Sequence, residues 1–134
     1  MRTREKKEKN CRSCNNPIVN GNTYCDNRCQ ATFQKNKYIL EWKDGKQSGV
    51  TSLKTFTISR HIRAYLHERC NNSCEICGWN AVNPYTNTVP VEIDHIDGDA
   101  SNNKEDNLRV LCPNCHSLTP TFRNAGGRNS VRIR

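Results

Sequence analysis

At 134 residues the chain has room for one ordinary domain or two very small ones. Only 34% of the residues are hydrophobic and the mean hydropathy is −0.91, which argues against a large apolar core, and no segment approaches membrane-spanning length. A core this small needs cross-links, from disulfides or from metals, and nine cysteines can supply either.

The formal net charge of +8 sits at the two ends: +6 over residues 1–46 and +4 over 117–134, flanking −2 over 47–116. Neutralising phosphates releases their condensed counterions, so such ends suit a polyanion. They equally suit a plain soluble basic surface.

In chain order, residues 1–9 read as a charged tail with no apolar stretch behind it, so no secretory signal is expected. Cys11, Cys14, Cys25 and Cys29 follow as CxxC, ten residues, CxxxC, around the turn-rich "NNPIVNGN". Four thiolates at that spacing can surround one tetrahedral zinc. The first pair belongs on a turn, where Asn15 tolerates the left-handed conformation. The second pair fits the start of a helix running through Phe33, Tyr38, Ile39, Leu40 and Trp42 to Gly45.

"DGKQSG" reads as a linker. Beyond it, Ile58, Ile62, Tyr65 and Leu66 form the stripe of an amphipathic helix, with Ser59 or Thr57 as its cap. Cys74, Cys77, Cys112 and Cys115 then form CxxC, 34 residues, CxxC, with Gly78 suited to a tight metal-binding knuckle. Between the two pairs, "PVEIDHI" reads as a strand, "DGDASNNKEDN" as a polar loop and "LRVL" as a second strand; Pro113 then opens a helix. CxxC pairs in a cytosolic, reducing compartment favour zinc over disulfides. Each four-thiolate zinc site adds −2, so two of them bring +8 to +4. Cys70 is left over, either a small buried residue or a competitor for Cys74.

Four protein ligands leave no open position, so both zincs would be structural. The second ties His116, directly after Cys115, to the strand holding Asp94 and His95. Neighbours on a regular strand point to opposite faces, so Asp94 and His95 must do different work. A carboxylate and an imidazole with water-filled positions can take a divalent metal. A further histidine free of that metal can activate water near neutral pH. Asn107, at the start of the second strand, can hydrogen-bond across the hairpin. Asp97 and Asp99 read as loop-shaping residues. Arg109, Arg123, Arg128, Arg132 and Arg134 are either phosphate contacts or solvated charges.

The segment "EIDHIDGD…NLRVLCPNCH" resembles the HNH endonuclease family in its zinc-bearing form, with His95, Asn107 and His116 as the name-giving residues. "NPYTNTVPVEIDHIDGDASNN" and "NLRVLCPNCHSLTPTF" are similar to small HNH proteins common in bacteriophages. The resemblance extends to the amino-terminal finger, the following helix and the Gly-Gly-Arg tail.

It implies an α+β chain whose ββα-metal nuclease module is stapled by a four-cysteine zinc site and preceded by a small zinc finger and helices. The expected organisation is a basic tail, finger and helix over 1–47, a linker over 48–57, the nuclease module over 58–125 and a basic flexible tail over 126–134. The resemblance further implies that His95 takes the proton from water, that Asp94 and His116 hold one Mg²⁺ or Mn²⁺, and that Asn107 fixes the hairpin. The product ends would be 5′-phosphate and 3′-hydroxyl. The expected partner is DNA, met in the cytoplasm (the host's, if phage-encoded), with no membrane and no organic cofactor. The rival is a non-catalytic, zinc-dependent nucleic-acid-binding protein.

Overall fold

The computed structural model describes residues 8–18 and 21–124. Most of residues 1–9 and all of the tail expected over 126–134, with Arg128, Arg132 and Arg134, lie outside the described residues. The protein is α+β, with three α-helices and three two-stranded antiparallel sheets among the described residues. It divides into two compact units, Met1–Glu41 and Trp42–Arg134. No described helix is long and apolar enough to cross a membrane.

In the first unit, β1 (Lys9–Asn10) pairs with β2 (Pro17–Ile18). The turn between them closes on itself: Asn15 N–H donates to Cys11 O at 2.9 Å, and Asn15 adopts the left-handed φ of 61° expected of it. Helix α1 (Asn27–Lys43), whose last two residues belong to the second unit, is started by Asp26, whose side chain accepts from Cys29 N–H at 2.8 Å. That bond places Cys29 in the first turn, as the CxxxC spacing suggested. The helix ends at Gly45, whose N–H reaches Trp42 O at 3.0 Å with φ +75°.

In the second unit, the stretch read as a linker contains a hairpin of β3 (Val50–Ser52) and β4 (Thr57–Ile58). Ile58 therefore ends a strand, and helix α2 (Arg60–Arg69) begins two residues later than its apolar stripe suggested. Ser59 is the cap, its hydroxyl accepting from His61 N–H at 3.2 Å. The buried face of α2, Ile62 and Leu66, is fully covered.

The centre of this unit is β5 (Glu92–His95) paired with β6 (Leu108–Leu111), entered through a 3₁₀ turn at Glu105–Asn107. Helix α3 (Pro113–Ser117) follows at once, with Pro113 at its first position and the Cys112 sulfur accepting from Cys115 N–H. This is the strand, loop, strand, helix order read from the sequence. Val110 and Leu111, neighbours that point to opposite faces of β6, are both completely buried, so the strand anchors the unit from both sides.

The turn after β5 depends on Gly98, at φ +76° with its N–H on His95 O at 2.9 Å. A Cβ there would lie 2.7 Å from Thr121 Cγ2. Gly98→Ala is therefore expected to cost about 1–2 kcal/mol through the left-handed backbone alone, and the collision adds to it. Urea denaturation of the zinc-loaded protein measures this; an unchanged midpoint would mean that Thr121 and the turn relax freely.

Candidate active site

Two groups of four sulfurs converge. Cys11, Cys14, Cys25 and Cys29 form one and Cys74, Cys77, Cys112 and Cys115 the other, each with all four sulfurs within 4.8 Å of one another. All nine cysteines are free. The Cys77 and Cys112 sulfurs are 3.8 Å apart and those of Cys14 and Cys25 3.5 Å apart. Zn–S bonds of about 2.3 Å in a tetrahedron put sulfurs roughly 3.8 Å apart, so the donor sets fit zinc.

Their electrostatics call for a cation. Hydrogen bonding to the sulfurs of Cys14 and then Cys11, with burial, pushes the Cys25 thiol up to about 12. Cys115 is pushed up to about 12 by the same kind of bond to Cys77 and by burial. Burial opposes ionisation of Cys74, yet backbone N–H groups at Cys112, Cys77 and Ile76 outweigh it and bring its pKa down to about 6. Cys11 is brought down to about 6 against burial in the same way, by N–H groups at Cys14, Cys25 and Ser13. In each cluster one thiol is pulled down and another is pushed up by its sulfur neighbours, a conflict that a bound dication relieves.

The second cluster is also wired into the sheet. Gly78 turns the knuckle at φ +77°, donating to Cys74 O at 2.8 Å. Glu75, inside the CxxC, accepts from Val110 N–H at 2.5 Å and from Arg69 of α2 at 2.8 and 2.9 Å. One carboxylate thereby joins α2, the knuckle and β6. Cys70, at the end of α2, belongs to neither cluster; its thiol faces His67 O at 3.6 Å.

Across the hairpin, Asp94 stands opposite Arg109 and His95 opposite Leu108. Asp94 is only 5% exposed, a costly place for a carboxylate without partners. Arg109 Nε donates to its Oδ2 at 2.8 Å, so Arg109 is half-buried on Asp94. The other oxygen, Oδ1, faces His116 Nε2 of α3 at 3.6 Å. On the far side of that ring, His116 Nδ1 donates to Glu92 Oε2 at 2.5 Å. A carboxylate on Nδ1–H fixes the tautomer and turns the Nε2 lone pair toward Asp94. Two electron-rich donors facing each other suit a shared divalent cation. Phe122 stacks edge-on against His116 at 5.4 Å, and the exposed Arg123 lies over Phe122 at 5.1 Å.

His95 is half-buried, and its Nε2 lies 2.8 Å from Asn103 Oδ1. Asn107 holds the turn beyond it with every polar atom. Its side-chain amide donates to Asp97 Oδ1 and Asn102 O, both at 2.8 Å, and its Oδ1 accepts from Asp97 N–H at 3.1 Å. Its backbone O takes Ile96 N–H at 2.9 Å. Bonds from Asn102, then Asp99 N–H and Asn107, hold the Asp97 carboxyl below its usual range. The Ser101 hydroxyl and N–H do the same for Asp99. Both acids are spent on the loop.

The structure thus brings Asp94 and His116 together, sets Asn107 under the turn that follows His95, and groups each cysteine quartet. It turns Arg109 onto Asp94. Glu92, Asn103 and Glu75 escaped the sequence reading. Glu92 had a signal, since residues two apart on a strand share a face and Asp94 is its neighbour there.

Residues 74–119 match the HNH endonuclease family. Over 61 residues the chain is 48% identical to "H-N-H endonuclease F-TflIV" of Escherichia phage T5, an alignment covering 46% of this chain and 25% of that protein. The chain therefore spans about a quarter of the length of the curated relative it matches. No solved structure matches. Every residue of the Asp94–His95–Asn107–His116 group and of the second cysteine cluster falls inside the matched segment.

Proposed function

With an HNH endonuclease domain at residues 74–119 as the premise, we propose that the chain is a metal-dependent DNA endonuclease that hydrolyses phosphodiester bonds. The observation that carries this reading is the 3.6 Å approach of Asp94 Oδ1 and His116 Nε2, each aimed by its own partner, Arg109 or Glu92. Asp94 and His116 would hold one Mg²⁺ or Mn²⁺. That ion, when bound, offsets the charge that builds on the phosphoryl group and on the departing 3′ oxygen. His95 takes the proton from the attacking water, leaving 5′-phosphate and 3′-hydroxyl ends. Asn107 keeps the turn after His95 in place. Zinc in the two cysteine clusters is structural, and Arg123 is the better placed of the two candidate phosphate contacts, because Arg109 is committed to Asp94. DNA is the partner, and the phage relative supports work in a host's cytoplasm.

A second reading, a zinc-dependent nucleic-acid-binding protein without catalysis, draws on one observation. With a proton on both ring nitrogens of His116, Glu92, His116, Asp94 and Arg109 would form a chain of ion pairs that satisfies itself. Supercoiled plasmid incubated with the zinc-loaded protein and Mg²⁺ or Mn²⁺ separates the two. Cutting is expected, and Asp94→Asn, which keeps the shape and can still accept from Arg109, is expected to slow it about 10²–10³-fold, the scale of losing one electrostatic stabiliser. No cutting by the folded parent with any of several divalent ions and DNA forms would favour the binding protein.

A further inference from the structure

We propose that Asn103 is the positioning residue of His95: its side-chain oxygen holds the imidazole as the Nε2–H tautomer, which makes Nδ1 the basic atom. This inference rests on the reading of His95 as general base and adds to it which ring nitrogen acts and what selects it.

The argument is one of donors and acceptors. Asn103 is 4% exposed and lies in the polar loop between β5 and β6. Its side-chain nitrogen donates to Ala100 O at 3.3 Å. A backbone carbonyl can only accept, so the amide nitrogen belongs on that side and Oδ1 on the side of His95. Oδ1 in turn can only accept, so the 2.8 Å contact with His95 Nε2 requires a hydrogen on that nitrogen. A neutral imidazole carries one N–H, which leaves the lone pair on Nδ1.

Asn103 is itself held from two other directions. Its backbone O accepts from Trp42 Nε1 at 2.7 Å, inside the same compact unit. Gly49 packs on it so closely that a Cβ at Gly49 would lie 3.1 Å from Asn103 Cβ. With its backbone oxygen and Cβ held and its amide nitrogen bonded to Ala100 O, the side chain has little freedom to follow the ring if the ring turns. The buried bond therefore sets the orientation of His95, and the network is worth its cost only when every member is satisfied.

The step it serves balances as follows. Water gives a proton to His95 Nδ1, and its oxygen bonds to phosphorus. The P–O3′ bond breaks with its electron pair on the 3′ oxygen, which takes a proton from solvent. The imidazolium left on His95 still donates Nε2–H to Asn103 Oδ1, a bond strengthened by the new positive charge.

Two measurements test this. In ¹⁵N–¹H correlation spectra of the zinc-loaded parent, recorded with His95 neutral, Nε2 is expected to show the protonated signature and Nδ1 the unprotonated one; the reverse overturns the proposal without any variant. In single-turnover cleavage with Mg²⁺, Asn103→Leu is expected to fall about 10²-fold, the lower end of what a general base supplies. Its DNA affinity, measured by band shift in Ca²⁺, should change less than threefold. Asn103→Asp, which keeps an acceptor oxygen, is expected to recover at least tenfold of that loss. Equal losses in both variants, or full activity in Asn103→Leu while His95→Ala is inactive, would overturn the positioning role alone. Parent-like cutting by His95→Ala would bring down the general-base reading and this one with it.

Discussion

His95→Ala is expected to lose DNA cleavage by about 10²–10⁴-fold, the contribution of a positioned general base, while folding and retaining zinc as the parent does. The separation of these effects follows from where His95 sits. It is half-buried at the end of β5, opposite Leu108, and is not one of the fully buried side chains, such as Val110 and Leu111, that anchor the unit. Its removal leaves Asn103 Oδ1 without its donor, a cost of about 1–3 kcal/mol for a buried acceptor. That lowers a melting midpoint without unfolding a metal-stapled module. Neither Asp94 nor His116 depends on the His95 ring for its partners, which are Arg109 and Glu92. Metal binding at that pair should therefore survive. The measurement is plasmid nicking against time in Mg²⁺, with circular dichroism and zinc content as controls. Equal cutting by His95→Ala would sink the mechanism, since no other described histidine lies in the hairpin or its turn.

How much of this could be read from residues alone follows the range of the forces involved. The cysteine quartets and the knuckle are local patterns, because metal geometry restricts spacing, and Gly78 and Asn15 carry the left-handed turns such sites need. The strand, loop, strand, helix order was readable for the same reason: β6 is a compact apolar run and Pro113 punctuates it. The β3–β4 hairpin was not. Its strands are three and two residues long, with an irregularity between Val50 and Ser52, too short for alternation to register. Arg109 looked like a surface cation because sequence does not reveal register; only the pairing of β5 with β6 sets it against Asp94. Asn103 is the extreme case, one of several amides in a polar loop. What marks it out is its burial and the bond its backbone oxygen accepts from Trp42, which is 61 positions away in the chain.

Removing the second zinc is expected to unfold the nuclease module outright, whereas removing the first should not. Cysteine zinc sites contribute on the order of 10–16 kcal/mol at neutral pH, against about 5–15 kcal/mol for the whole stability of an ordinary domain. The apolar reserve here is small: Ile62, Leu66, Val110 and Leu111 are the largest fully buried side chains among the described residues. Cys112 also does more than ligate. It is 3% exposed, packs with Cys74 and Leu111, and caps α3, the helix that carries His116. Cys112→Ser should therefore lower zinc content from two per chain to one, abolish the cooperative melt of the second unit, and abolish cleavage at any Mg²⁺ concentration. Cys14→Ser should also leave one zinc, but in a protein that still cuts, because Cys14 belongs to the other compact unit and lies outside the matched segment. The pair distinguishes the zinc that builds the cutting site from the one that does not. A strong chelator should stop cleavage in a way that zinc followed by Mg²⁺ reverses and Mg²⁺ alone does not. A single zinc in the parent would mean that one cysteine cluster does not bind it, and full cutting by a folded Cys112→Ser would mean that the sheet and α3 hold His116 in place without metal.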